Sequence, residues 1–308
     1  MTLLKQILEV CDLLDSPRAS GSQFKELLQE RGADLVEVTT VGGEKGFTDF
    51  IKVVVKGSDS QAPKLGVIGR LGGVGARPLQ LGLVSDADGA IVALACALKL
   101  AEMKERGDVL AGDVIITTHV TPRAPVKPYK PVPMMESPVD IFKLLKLEVD
   151  PSADAVISVD ATKANRVIKS PDIAITPTIK EGWILKVSDD LIDIYTWVTG
   201  HEPYIVPITM QDITPFSTPV YHINSMVQPW LYTEAPVIGL AVTSRAVIPG
   251  SATGVTDVYA LDKACRFTLE VAKGFTAGNV KFYDEEEYRK LRELHGDVGE
   301  LLRKGAPR

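Results

Sequence analysis

Apolar positions along the chain follow two spacings, one helical and one extended. From residue 2 to 14 they recur every three or four residues, which predicts an amphipathic helix. A second helix follows Ser20 and ends at Gly32, since glycine favours the left-handed conformation that caps a helix. Longer helical segments follow Asp88 and Asp257. The predicted helices are therefore separated from one another by non-helical segments.

Those intervening segments are short apolar runs that predict strands. The predicted strands are 35–41, 50–57, 65–68, 113–122, 154–160, 203–215 and 236–245, with a strand and a helix over 183–200. Several lack polar alternation, which is typical of strands covered on both faces. The alternation with helices predicts one α/β domain over 1–308 with a mixed, mostly parallel sheet, and a charged, exposed helix over about 284–308.

Polar side chains stand where several of these strands end. We name five of them the strand-end cluster: Arg70, Asp86, Asp88, His119 and Asp160. Parallel strands share one carboxyl edge, so these side chains are expected to converge there. Two aspartates and a histidine suit a divalent metal.

Structural interpretations of the same residues stay open at this point. Asp86 and Asp88 precede a helix, where aspartate often caps free backbone N–H groups. His119 is equally consistent with a hydrogen-bonded structural histidine. The glycine-rich turn after Ile68 lacks the spacing of a nucleotide-binding loop and leads to carboxylates that would repel phosphate.

Composition narrows the class of protein. Hydrophobic residues make up 45% and charged residues 24%, with a net charge of −6, so the chain lacks the basic character that nucleic-acid binding requires. Three dispersed cysteines argue against a disulfide framework or a cysteine zinc site. Because no leader-like or membrane-spanning apolar stretch stands out, we expect a cytoplasmic protein without a membrane partner.

The order of elements resembles the co-catalytic zinc aminopeptidases, which have a phosphorylase/hydrolase-like fold. The resemblance implies a three-layer α/β/α architecture, a homo-oligomer and a bridging carboxylate near Asp86, with Asp160 at a later ligand position. Three other family positions differ. The family's His-x-Asp is replaced by Arg70 and the two residues after it, its Glu-Glu by residues 118–120, and its late histidine by 248–254.

A second resemblance is more specific. The runs GRLGGVGARP, SDADGAI, KEG and QDITP identify the chain as similar to an uncharacterised prokaryotic family, domain of unknown function 1177. This likeness spans almost the whole chain. It implies no established activity.

The first functional hypothesis is a hydrolase of a small amide or peptide-like substrate. It would hold one divalent metal, Zn, Mn or Co, on Asp86, Asp160 and His119. The expected catalytic groups are His119, Lys163 and Asp88. The expected substrate-binding groups are Arg70, Arg77, Asn165, His222 and Asn224.

Two alternatives come from other classes. Loss of the family's ligands would leave a non-catalytic module that binds a small acidic metabolite or peptide through Arg70, Arg77 and Lys163. A metal-independent isomerase or racemase would use Arg70, Asp86, Lys163 and His119 for acid–base chemistry.

Overall fold

A mixed β-sheet lies at the centre of the computed structural model. The structure describes residues 2–16, 18–70, 73–74, 83–122, 124–128, 130, 134–247, 256–304 and 306. The strands are β1 (Leu35–Gly43), β2 (Gly46–Val55), β3 (Leu65–Gly69), β4 (Gly73–Val74), β5 (Val114–Pro122), β6 (Val126–Lys127), β7 (Met134–Met135), β8 (Ala155–Ala161), β9 (Ile173–Ile175), β10 (Thr178–Lys180), β11 (Trp183–Leu185) and β12 (Val237–Val242).

The sheet runs in the order β1-β2-β5-β3-β8-β12-β10-β11. Its four central strands, β5, β3, β8 and β12, are mutually parallel, and the flanking strands β2 and β10 are antiparallel to them. Strand β4 extends the pairing of β5, β9 pairs with β12, and β6 pairs with β7 outside the main sheet. The predicted mixed, mostly parallel sheet is confirmed.

Helices cover the sheet on both faces. They are α1 (Leu4–Leu14), α2 (Gly21–Glu30), α3 (Asp88–Glu105), α4 (Ile141–Glu148), α5 (Asp189–Thr199), α6 (Val258–Thr276), α7 (Glu285–His295) and α8 (Val298–Arg303). Apolar side chains of α1, α3, α5 and α6 form the large core on one face, which we name the α3 face. Helix α4 and the 3₁₀ turn Gln228–Tyr232 cover the other, the α4 face.

Strand alternation divides the central side chains between these faces. Val67, Ile116 and Val159 belong to the core on the α3 face, whereas Ile68 and Val156 belong to the core on the α4 face. Because side chains two residues apart share a face, the strands predict that Arg70, His119 and Asp160 project on the α4 face. Polar members of the strand-end cluster thus interrupt an apolar layer.

Two predicted elements differ in the structure. Residues 203–215, predicted as a strand, contribute only an isolated bridge at Ile205 and a turn at Asp212. Pro207 removes a backbone donor within this run, and the Asp212 carboxylate accepts from Thr209, so local bonds replace a ladder. The charged tail forms two helices, α7 and α8, separated at Gly296, whose φ is 76°. No helix in the described ranges has the length and apolar character to traverse a bilayer.

Candidate active site at the carboxyl edge of the sheet

The strand-end cluster is organised by the close approach of α3 to the sheet. A Cβ atom at Gly89 would lie 2.2 Å from the Arg70 carbonyl oxygen and 2.7 Å from the Val159 carbonyl oxygen. Only glycine allows backbones to approach this closely. The first turn of α3 is thereby seated on the ends of β3 and β8, which brings Asp86 and Asp88 to the strand ends.

Asp88 is an ion-pair partner in the structure. It is the first residue of α3, and each of its carboxylate oxygens contacts a side chain. Its Oδ2 atom lies 2.5 Å from Lys163 Nζ, and its Oδ1 atom accepts a hydrogen bond from Thr256 Oγ1 at 3.2 Å. Burial raises the pKa of Asp88 to about 6, against the opposing effects of Lys163 and Thr256. A paired charge, not a helix cap, explains this aspartate.

Asp86 is the partly buried acid of the site. It lies in the 3₁₀ turn Ser85–Ala87 and is intermediate in exposure. Burial raises the pKa of Asp86 to about 8, with further contributions from the charges of Asp160 and Asp88 and an opposing one from Lys163. A carboxyl group with this pKa exchanges a proton near neutral pH, which suits acid–base chemistry.

Arg70, His119 and Asp160 share a buried network on the α4 face. Arg70 is 2% exposed, and its Nε atom lies 3.9 Å from Glu148 Oε2. His119 Nδ1 lies 2.6 Å from Glu148 Oε1. Burial raises the pKa of Asp160, which Arg70 and the Ala161 backbone N–H lower and Glu148 raises. Glu148 is therefore the shared partner of Arg70 and His119.

Sequence reasoning missed Glu148. Helix α4 places Leu144, Leu145 and Glu148 along one side, and all three are buried. A glutamate that continues the apolar stripe of a short helix was the available signal. It is recognisable only if α4 itself is predicted, and no helix was predicted over 141–148.

The remaining predicted substrate-binding residues lie in local structures. Asn165 Oδ1 accepts from the backbone N–H groups of residues 167 and 168, which closes a turn. His222 Nε2 lies 2.7 Å from the Thr214 carbonyl oxygen, and Asn224 Oδ1 accepts from the Met226 N–H. Arg77 lies outside the described residues. The structure thus turns His222 and Asn224 to different partners, and a substrate-binding role for them stays a prediction.

A metal site on Asp86, Asp160 and His119 is not supported by the donor set. Across the part of the chain that the structure describes, no three His, Cys, Asp or Glu side chains are grouped to hold a metal ion. His119 Nδ1 is directed to Glu148, and the nearby Asp88 oxygens face Lys163 and Thr256. Positively charged side chains of the protein itself lie beside these acids, at the place where the expected metal site would need ligands.

Comparison with known proteins gives the family and the fold. The model of the family described as Protein of unknown function (DUF1177) matches residues 39–305. No curated relative matches the chain.

Two solved structures are similar. A cytosol aminopeptidase from Coxiella burnetii has a TM-score of 0.53 and 15% identity, covering 87% of this chain and 68% of that one. The bottromycin maturation enzyme BotP has a TM-score of 0.51 and 14% identity, covering 86% and 69%. The expected aminopeptidase-like α/β fold is confirmed, and at this identity the likeness concerns the fold alone.

Proposed function

The chain belongs to the family of proteins of unknown function DUF1177, and we propose that it is a hydrolase of a small amide or peptide-like substrate. The observation that carries the proposal is Asp86, a partly buried acid with a pKa of about 8 beside the Asp88–Lys163 ion pair. The aminopeptidase-like fold supports a hydrolase scaffold.

Amide hydrolysis requires one group that transfers a proton and one cation that stabilises the negative charge on the carbonyl oxygen. The Asp86 carboxylate takes a proton from water while the water oxygen forms a bond to the amide carbon. Asp86 then returns this proton to the amide nitrogen as the C–N bond breaks, which releases a carboxylic acid and an amine. The Lys163 ammonium, held by Asp88, stabilises the negative charge that develops on the carbonyl oxygen.

This mechanism takes no step through a metal ion, because the described donor set does not fit one. Lys163 is a fixed positive charge, and its attraction lowers the pKa that burial and the neighbouring aspartates raise at Asp86. The protein itself therefore provides an acid and a cation that act on the same site.

An anion-binding module is less well supported. Lys163 contacts Asp88, and Arg70 lies against Glu148 near Asp160. An acidic ligand would have to displace these internal carboxylates from both cations. A neutral amide does not have to displace these carboxylates. The charge arrangement therefore favours an amide substrate over an acidic ligand.

The test compares Asp86→Asn with the wild-type protein on a panel of dipeptides and primary amides. We expect wild-type hydrolysis that persists in chelator and falls about 100-fold or more in Asp86→Asn. Asp150→Asn is the matched control, because Asp150 forms a more peripheral ion pair with Lys52.

Three outcomes would contradict the proposal. Hydrolysis abolished by chelator would overturn the metal-independent mechanism. Full activity in Asp86→Asn would remove Asp86 from it. Exchange of solvent deuterium into substrate carbon without amide cleavage would identify an isomerase or racemase instead.

Assembly and location stay predictions. The homo-oligomer expected from the resemblance is tested by light scattering of the purified chain. The cytoplasmic location is tested by fractionation of the source cells.

A further inference from the structure

Glu148 occupies a position where a carboxylate is unfavourable without a structural or functional reason. It is 1% exposed and is the last residue of α4, where the helix dipole disfavours negative charge. Burial of a charged carboxylate is costly unless partners compensate for the lost water. The partners in the structure are His119 and Arg70, both members of the strand-end cluster.

Two contacts from β5 fix the placement of Glu148. Its backbone carbonyl accepts a 2.6 Å hydrogen bond from Thr117 Oγ1, and its Oε1 atom lies 2.6 Å from His119 Nδ1. Thr117 and His119 are two residues apart on β5 and therefore project on the same face. One strand therefore holds both the main chain and the side chain of Glu148.

The second carboxylate oxygen faces Arg70. Glu148 Oε2 and Arg70 Nε are buried, 3.9 Å apart, and neither has a hydrogen-bond partner within the described part of the chain. The guanidinium is held on its other side by the Ser225 carbonyl oxygen, 3.5 Å from Nη1. Arg70 therefore lies between α4 and the loop at residue 225, and its contacts on both sides are long.

We propose that Glu148 is a positioning residue of the strand-end cluster, which orients the His119 ring and the Arg70 guanidinium through one buried carboxylate. This inference rests on the proposed function for its catalytic meaning. Its electrostatic consequence is independent of turnover, because Glu148 repels negative charge on Asp160 and Arg70 attracts it. The 2.6 Å contact between Glu148 Oε1 and His119 Nδ1 fixes the orientation of the imidazole ring.

The experiment uses the full chain carrying Glu148→Gln, which preserves the size of the side chain and removes its charge. Carboxyl ¹³C NMR of labelled aspartates follows the titration of Asp160, identified by its loss in Asp160→Asn. We expect the Asp160 titration to move to lower pH in Glu148→Gln, because a raising charge has been removed. Turnover, if present, should fall, because the His119 ring and the Arg70 guanidinium lose the carboxylate that orients them.

Asp150→Asn is the control, because it removes an acid two residues away without touching the network. We expect it to leave the Asp160 titration in place. If Glu148→Gln unfolds the protein, Thr117→Val tests the same placement by removing only the main-chain hydrogen bond, and should perturb the His119 ring signals.

Each result decides the proposal. A folded Glu148→Gln protein with an unchanged Asp160 titration, or an equal shift in Asp150→Asn, would overturn it. An Asp160 shift in a protein that hydrolyses nothing would support the positioning role while contradicting the proposed hydrolase.

Discussion

Two buried ion pairs lie at the carboxyl edge of the sheet and differ in how completely their charges are matched. On the α3 face, Asp88 and Lys163 are 2.5 Å apart, with Thr256 donating to the second oxygen of Asp88. On the α4 face, Arg70 and Glu148 are separated by 3.9 Å. In the first pair both oxygens of Asp88 are bonded. In the second pair Glu148 also contacts His119 and lies near Asp160.

This difference separates two functions of buried charge. A close pair fixes the start of α3 and places the Lys163 ammonium beside Asp86. A loose, shared carboxylate instead contacts both His119 and Arg70, and its charge raises the pKa of Asp160. The α3 face therefore provides a cation held by one close partner, whereas the α4 face provides one carboxylate shared by two side chains.

The largest effect is expected from Lys163→Met. It leaves Asp88 buried without its cation and should lower the free energy of unfolding at pH 8 by about 3 kcal/mol. At pH 5 the loss should be smaller, because Asp88 is then largely protonated and needs no counter-charge. Urea unfolding at the two pH values measures this. If Lys163→Met lowers the free energy of unfolding by as much in an Asp88→Asn background, the loss does not come from an unpaired Asp88 and the prediction is wrong.

Arg70→Met should have a smaller effect, about 2 kcal/mol. The Arg70–Glu148 contact is longer than the Asp88–Lys163 contact, and Glu148 retains His119 as a partner. Urea unfolding at pH 8 on the same protein preparations provides the measurement. A loss greater than that of Lys163→Met would reverse the order that the two distances predict.

Asp86→Asn should stabilise the protein increasingly as pH rises. The folded pKa of Asp86, about 8, exceeds its ordinary value of 3.8, so the folded state retains a proton that the unfolded chain has lost. Wild-type stability from this group therefore falls between about pH 4 and pH 8. The advantage of Asp86→Asn should grow by about 1–2 kcal/mol from pH 5 to pH 8, discounted for partial exposure. A pH-independent difference would contradict the raised pKa.

Asp150→Asn sets the lower end of the scale. Burial raises the pKa of Asp150, but hydrogen bonds from Lys52 and Ser152 outweigh it and lower the pKa overall. The carboxylate therefore stabilises the fold above its ordinary pKa, and this contribution is lost as pH falls through the folded value. We expect a loss under about 1 kcal/mol at pH 7 by thermal unfolding, because the Lys52 side chain is 36% exposed and solvent screens the pair.

Several features were accessible from sequence because local chemistry determines them. The apolar runs ending at Ile68 and Asp160 became β3 and β8, since strands covered on both faces need no polar alternation. Gly32 follows a helix end with a φ of 89°, as its sequence position predicts. The segment over 203–215 failed because the hydrogen bonds of Asp212 overrode its apolar pattern.

The amino-acid pattern alone predicts that polar side chains follow the central strands, because strand ends can be recognised along the chain and parallel strands share an edge. Tertiary structure alone decided their partners. Lys163 reaches Asp88 across 75 positions, and Glu148 reaches His119 from a helix on the opposite face from α3. Pairing of this kind depends on which helix covers which face, a choice made by packing and not by local periodicity.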